Sequence, residues 1–212
     1  MQEILDKYMK EFCNESLEVL KTYDQRIRDN LLLNENKDFY SFPKGLTVWS
    51  ITEPILKFLI FSSLCKKYMI WPEAGEFYKE KKFLDLALFL PNDLKHQIDS
   101  SEDEPDIAIE MKWGGLKKTG EFMKWGLNNF IDDMLKLHKS CTIKNKFIMQ
   151  FIVLHNDIEI DGDVLKDQIL SNVDKRKFRG KDIELLYANY FKTLGFSENE
   201  LWPFYIVLWK IK

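Results

Sequence analysis

The segment Pro105-Asp-Ile-Ala-Ile-Glu-Met-Lys-Trp113 decides the fold prediction for this chain of 212 residues. If the segment is a β-strand, successive side chains leave opposite faces. One face then carries Ile107, Ile109, Met111 and Trp113, and the other carries Asp106, Ala108, Glu110 and Lys112. The bulky face predicts burial in a core. On the other face, the small Ala108 leaves space beside a carboxylate and an ammonium, which favours a functional site.

The segment that precedes it, Phe83 to Leu90, repeats the same pattern. Its leucines alternate with Phe83, Asp85, Ala87 and Phe89, so an acid again shares a strand face with an alanine. If the two strands pair with Asp85 opposite Glu110, their carboxylates can chelate one hard divalent cation. Two oxygen ligands and open water positions suit Mg²⁺, with Mn²⁺ as a substitute.

Two further charged residues belong to this constellation. Lys112 lies two residues beyond Glu110 on the same strand face, ~7 Å away at the backbone, and its stem can reach a phosphate or a water at the ion. Glu53 lies at helical spacing from Leu56 and Ile60, which predicts an acid that faces inward and needs a partner.

The remaining hydrophobic pattern predicts alternating helices and strands. Residues 1–30 predict one or two amphipathic helices, and residues 30–44 a connecting loop. The elements predicted next are a helix from Thr47 or Pro54 to Tyr68, a hairpin over Glu76–Leu90 that turns near Glu80 and Lys81, and a loop over Pro91–Pro105. After the Pro105–Trp113 strand, the pattern predicts a helix over Thr119–Lys139 and a buried strand over Lys146–Leu154. The last predicted elements are a helix over Asp182–Leu194 capped by Gly195 and a strand over Phe204–Ile211. In the helix over Thr119–Lys139, the residues expected to face inward are Leu127, Phe130, Ile131, Met134 and Leu135.

This order predicts an α/β protein, with a mixed sheet and helices on its faces. We expect two parts: an N-terminal helical extension and loop over residues 1–44, and one principal domain over residues 45–212. The apolar stripe of the extension must pack on something, either its own domain or a second copy in a homodimer.

From Trp49 to His155, the chain resembles the PD-(D/E)XK nuclease superfamily, the restriction-endonuclease-like fold. The shared order is a helix with a glutamate, a strand with an aspartate, and a strand with Glu-x-Lys followed by a helix. The resemblance implies an αβββαβ core with helices on both faces. It also implies an Mg²⁺-dependent nuclease, an endonuclease acting on DNA rather than RNA, in which a metal-activated water attacks the phosphodiester in line.

The resemblance also assigns roles to individual residues. Asp85 and Glu110 would bind the metal, Met111 would add its backbone carbonyl, and Lys112 would orient or activate the attacking water. Glu53 would be the auxiliary acid of the helix and a further ligand of the metal. Downstream lysines that could contact nucleic acid are Lys117, Lys118, Lys124 and Lys136.

The chain departs from the family pattern at the literal Pro-Asp pair, which is Pro105-Asp106 rather than a pair that ends at Asp85. Asp106 lies four residues before Glu110 on one strand, ~13 Å away at the backbone, which is too far to share a single ion. An aspartate on the neighbouring strand has no such limit. We therefore assign the metal to Asp85 and place Asp106 at the mouth of the site.

The net charge, the cysteine content and the hydrophobic runs of the chain limit its expected partners and location. The formal net charge of −3 excludes a uniformly basic nucleic-acid coat, although lysines can still gather around one cleft. Three scattered cysteines favour a reduced, cytoplasmic setting without disulfides. The sequence shows neither a secretory signal nor a run apolar enough to span a membrane, so we expect no membrane partner.

Three alternatives remain open. The chain could be a catalytically inactive nuclease-fold protein that serves as a nucleic-acid or protein binding module. It could also be a phosphodiesterase that acts on RNA or on a small molecule through the same site. Residues 157–162 resemble the start of a calcium loop, but the position of the expected glutamate is occupied by Gln168.

Overall fold

Four helices and six strands make up the part of the chain that the computed structural model describes, namely residues 2–33, 53–74, 84–98, 104–116, 124–154, 163–164, 167, 183–194 and 201–212. In chain order they are α1 (Gln2–Leu33), α2 (Glu53–Leu64), β1 (Met69–Ala74), β2 (Leu84–Phe89), α3 (Asn92–Ile98), β3 (Ile107–Leu116), α4 (Lys124–Ser140), β4 (Asn145–Leu154), β5 (Ile183–Leu194) and β6 (Leu201–Ile211).

The strands form one mixed sheet in the order β1-β2-β3-β4-β6-β5. β1, β2 and β3 are an antiparallel meander, β3 and β4 are parallel, and β6 pairs antiparallel with both β4 and β5. A parallel pair requires a crossover connection, and α4 lies in the segment between β3 and β4. The predicted mixed α/β architecture is confirmed.

Both faces of the sheet are covered. On one face, α1 and α2 bury residues such as Phe12 and Leu56 in a cluster with Met149. On the other face, α4 buries Phe130 in a cluster with Ile148. This two-sided burial explains the nearly continuous apolar sequence of β4, in which every residue from Phe147 to Leu154 is buried.

Several predicted helical features are present. Residues 2–33 form a single helix whose apolar stripe, including Met9 and Phe12, packs in the sheet core. In α4, Phe130, Ile131 and Met134 are buried and Leu135 is partly buried. The predicted start of this helix at Thr119 and the side chain of Leu127 lie outside the described residues.

The helix predicted over Asp182–Leu194 is wrong, because residues 183–194 form strand β5. A β-bulge between Leu185 and Tyr187 leaves Leu186 without a Cα partner in β6. The bulge places Leu186 and Tyr187 against the same core cluster, whereas Leu185 and Ala188 pack against the other. This shift removes the strict alternation that marks a strand in sequence. Gly195 lies outside the described residues.

Two short elements differ from the prediction. β1 occupies Met69–Ala74, where no strand was predicted, while the first half and the turn of the predicted hairpin lie outside the described residues. Within the predicted loop over Pro91–Pro105, residues 92–98 form α3. The carbonyl of Pro91 accepts hydrogen bonds from the N–H groups of Leu94 and Lys95, which form the first turn of this helix.

No helix in the described ranges is both long and apolar enough to span a membrane. Cys13, Cys65 and Cys141 are free cysteines, as the sequence predicts.

A buried polar contact fixes α1 on β5. Asp24 is 1% exposed, accepts a hydrogen bond from the Thr193 hydroxyl, and pairs with Arg28 at 2.8 Å. Arg28 also donates to the backbone carbonyl of Lys192. The helix and the edge strand are thus joined by a carboxylate whose partners come from both elements.

We expect Asp24→Ala to lower the free energy of unfolding by about 2–4 kcal/mol, because it leaves a buried hydroxyl and a partly buried guanidinium without their acceptor. Urea denaturation followed by circular dichroism would measure the change. Asp29→Ala is the matched control: Asp29 is exposed on the same helix, and its loss should stay within about 0.5 kcal/mol. Equal effects of the two substitutions would contradict this account of how α1 is held.

Candidate metal centre

The pairing of β3 with β2 covers fewer residues than the pairing of β3 with β4. Their paired residues run from Leu88–Ile107 to Leu86–Ile109, whereas β3 stays paired with β4 as far as Leu116. Beyond Ile109, the β2-side edge of β3 therefore has no strand partner in the described part of the chain. N–H groups two residues apart point to the same edge of a strand, so those on the open edge need other acceptors.

Two carboxylates supply these acceptors. The N–H of Met111 donates to Asp85 Oδ2 at 2.7 Å, and the N–H of Trp113 donates to Glu53 Oε2 at 3.2 Å. Asp85 is the second residue of β2, and Glu53 is the first residue of α2. One oxygen of each acid is thus fixed by the backbone of β3, while its other oxygen is available for a different partner.

Lys57 contacts the second oxygen of both acids. Its ammonium nitrogen lies 2.5 Å from Asp85 Oδ1 and 3.0 Å from Glu53 Oε1. The two oxygens are therefore at most 5.5 Å apart, the sum of these distances. Burial by itself would lower the pKa of Lys57, but the neighbouring carboxylates of Asp85 and Glu53 outweigh it and raise the pKa above its ordinary value.

Glu110 and Lys112 lie beside this pair of acids. The β2–β3 register, continued by one residue, places Asp85 opposite Glu110. Glu110 is 2% exposed, and its Oε1 lies 2.6 Å from the ammonium nitrogen of Lys136 on α4. The Lys112 nitrogen lies 2.9 Å from Asp133 Oδ2 and 3.5 Å from Glu53 Oε1.

The site therefore joins the two helical layers through the gap between β2 and β3. Lys112 contacts Glu53 on α2 and Asp133 on α4, which cover opposite faces of the sheet. In the described residues, the cluster contains four carboxylates and three ammonium groups, which leaves one negative charge in excess. Its members are Glu53, Asp85, Glu110, Asp133, Lys57, Lys112 and Lys136.

The structure connects three of the four residues for which the sequence predicts catalysis: Glu53 and Asp85 both contact Lys57, and Lys112 contacts Glu53. The fourth, Glu110, lies opposite Asp85 in the continued β2–β3 register. Met111 uses its N–H for Asp85, and its side chain is fully buried, so only its backbone carbonyl could serve a metal. Whether any of these residues binds a metal remains a prediction.

The structure describes the four lysines predicted to bind nucleic acid to different extents. Lys136 contacts Glu110 within the cluster. For Lys124, only its position at the start of α4 is described, and Lys117 and Lys118 lie outside the described residues.

Asp106 is a buried carboxylate with partners in the segment that follows β2. It is 4% exposed, accepts a hydrogen bond from the N–H of Leu90 at 2.7 Å, and lies 3.6 Å from the buried ammonium of Lys95. These contacts connect the start of β3 to the segment that follows β2. Its expected place at the mouth of the site stays a prediction.

Sequence reasoning missed Lys57 and Asp133. A signal existed for each of them. Lys57 lies one helical turn after Glu53, and Asp133 lies three residues after Phe130 and four before Leu137, on the buried face of an amphipathic helix. A charged residue at such a position needs a buried partner, which Lys112 provides.

The donor set fits a hard divalent cation. Asp85 Oδ1, Glu110 and the Met111 carbonyl are all oxygen donors, and Mg²⁺ commonly binds through one or two carboxylates while it keeps several waters. The described residues contain no group of three or more His, Cys, Asp or Glu side chains arranged for a metal. A metal site of two carboxylates, completed by a backbone carbonyl and water, therefore stays a prediction.

No protein-family model matches this chain, and comparisons with curated proteins and with solved structures found no similar protein.

The raised pKa of Lys57 predicts how its contribution to stability depends on pH. A cation whose pKa is higher in the folded protein stabilises the fold below its ordinary value of 10.5, and this stabilisation is lost as the pH rises through the folded-state pKa. We expect the free energy of unfolding of wild type to exceed that of Lys57→Met by about 1–2 kcal/mol at pH 8, and the difference to shrink as the pH rises above 10.5. Denaturant titrations of both proteins across this range would measure it, and a difference that is independent of pH would contradict the charge interaction.

Proposed function

We propose that this chain is a metal-dependent nuclease of the restriction-endonuclease-like fold that hydrolyses phosphodiester bonds in DNA. The observation that carries the proposal is the anchoring of Asp85 and Glu53 on the open edge of β3, beside Glu110 and Lys112. Two of the acids and the amine that the resemblance assigns to catalysis thus lie where two neighbouring strands separate, and Glu110 lies opposite Asp85 in the continued register.

The order of elements supports the proposal. A helix that begins with Glu53 is followed by the antiparallel meander β1-β2-β3, then by α4, then by β4, which is parallel to β3. Apart from α3, which lies between β2 and β3, this order is compatible with the αβββαβ core that the resemblance implies. The aspartate and the Glu-x-Lys segment occupy the second and third strands of the meander.

Each side chain has a distinct part in the proposed reaction. When bound, a divalent cation would supply Lewis acidity that lowers the pKa of a water and offsets charge on the phosphate. Asp85 and Glu110 would hold that cation, and Glu53 would accept a hydrogen bond from the attacking water. The Lys112 ammonium would donate to a phosphate oxygen and stabilise the charge that develops there.

DNA is the proposed substrate, as the resemblance implies, and a reduced cytoplasmic setting and a homodimer remain part of the same hypothesis. Lys117, Lys118 and Lys124 remain candidates for contacts with the phosphate backbone. Lys136 would join them only if Glu110 exchanged its ammonium partner for the cation.

A second candidate function is supported by the ion pairs themselves. Glu53 and Asp85 both contact Lys57, and Glu110 contacts Lys136. A cluster whose carboxylates are paired with ammonium groups in this way can persist without a metal and serve only to hold α2 and α4 on the sheet. The chain would then be a catalytically inactive nuclease-fold protein that binds a nucleic acid or a protein.

Cleavage assays distinguish the two functions. We expect purified protein with Mg²⁺ or Mn²⁺ to cut plasmid or single-stranded DNA. Asp85→Ala and Glu110→Ala should lower the rate by at least roughly 10³-fold, and Lys112→Met by roughly 10²-fold, because each removes a group that acts on the reacting phosphate. EDTA should abolish cleavage.

Lys10→Met is the matched control for charge, because Lys10 is exposed on α1 and makes none of the contacts of the cluster. Its rate should equal that of wild type. Residual cleavage that is equal in wild type and Asp85→Ala would refute the assignment of Asp85. If wild type cuts neither substrate with either metal, and DNA binding does not depend on the metal, the second function is favoured.

A further inference from the structure

Lys57 contacts the oxygen of Asp85 that a cation would need. Asp85 Oδ2 is held by the N–H of Met111, so Oδ1 is the oxygen that this carboxylate can offer to a metal. The nitrogen of Lys57 lies 2.5 Å from that same oxygen. Glu53 repeats the arrangement, with Oε2 on the N–H of Trp113 and Oε1 on Lys57.

An ammonium and a divalent cation could not share Asp85 Oδ1 in this geometry. An Mg²⁺–oxygen bond is about 2.1 Å long, so the cation would lie within about 4.6 Å of the Lys57 nitrogen if the lysine stayed in place. Three positive charges would then lie within a partly buried site, where screening is weak. The lysine must therefore leave when the cation arrives.

Lys57 has a route by which it can leave. Its side chain is 20% exposed, and its neighbour Phe58 on α2 is 65% exposed, so this part of the helix borders solvent. Rotation of a flexible four-carbon stem moves the ammonium into water without any movement of the backbone. The two acids keep their places during this exchange, because the N–H groups of Met111 and Trp113 still hold their other oxygens.

We propose that Lys57 is an exchangeable counter-ion of the candidate metal centre, a positioning residue that holds Asp85 and Glu53 together until a divalent cation replaces it. This inference rests on the proposed function, because it requires a metal at Asp85. It assigns a role to a residue outside the set that the resemblance implies. The ion-paired cluster is the resting form of the site, and the cation competes with the ammonium of Lys57 for Asp85.

The exchange predicts that removal of Lys57 strengthens metal binding. Titration calorimetry with Mn²⁺ alone should give a dissociation constant for Lys57→Met that is at least roughly tenfold lower than that of wild type, because no ammonium has to be displaced. Lys57→Gln should behave in the same way, and it provides a second variant if Lys57→Met does not fold. Lys10→Met should leave the constant unchanged, and Asp85→Ala should abolish the binding. A purely structural lysine would give the opposite result, with weaker binding after its removal.

A second measurement needs no substitution at Lys57. Acetylation of lysines in the wild-type protein, quantified by mass spectrometry of peptides, should show faster modification of Lys57 when Mn²⁺ is present. The rate at Lys10 should not change.

Three results would overturn the inference. If wild type binds Mn²⁺ through Asp85 but the Lys57 variants bind it equally or more weakly, the exchange is wrong and the proposed nuclease function stands. If neither wild type nor the Lys57 variants bind Mn²⁺ in a manner that depends on Asp85, both proposals fail. Unchanged acetylation of Lys57 in the metal-bound wild type also contradicts the exchange.

Discussion

Backbone N–H groups on the open edge of β3 are the constraint on which the candidate site depends. A strand that loses its neighbour must pair its N–H groups with something else, and here the N–H groups of Met111 and Trp113 pair with Asp85 and Glu53. The same hydrogen bonds that satisfy the strand therefore hold the two acids in place. The early end of the β2–β3 pairing is thus the structural origin of the site.

The gap between β2 and β3 also explains the mixture of charges. It lets side chains from the two helical layers meet, so that Lys112 contacts Glu53 from one layer and Asp133 from the other. Carboxylates packed between two apolar cores need cations close by. Lys57, Lys112 and Lys136 supply these cations, and the side chain of each is partly exposed.

The strands that carry the site could be predicted because their patterns are local. Ala87 and Ala108 are direct cross-strand partners, and this register aligns Asp85 with Glu110, as the alternation of β2 and β3 predicts. The partners from the helices were harder to predict. The contact of Lys57 with Asp85 and that of Asp133 with Lys112 depend on how α2 and α4 lie on the sheet, which periodicity alone does not specify.

The error at β5 has a different cause. Ile-Glu-Leu-Leu-Tyr-Ala-Asn-Tyr-Phe over residues 183–191 has helix-forming residues and no strict alternation, because the bulge after Leu185 shifts the side chains between the two faces. Pairing with β6 along nearly its whole length outweighs this local preference. A prediction from local sequence does not include such pairing between strands.

The central claim is that Asp85 and Glu110 present their oxygens to one cation beside β3. A crystal of the protein grown with Mn²⁺ tests this claim most directly, because anomalous scattering locates the metal independently of the surrounding side chains. The account predicts one peak within about 2.3 Å of an oxygen of each carboxylate, with Lys57 turned away from Asp85. A crystal in which Mn²⁺ binds elsewhere, while Lys57 remains on Asp85 and Glu53, would contradict it.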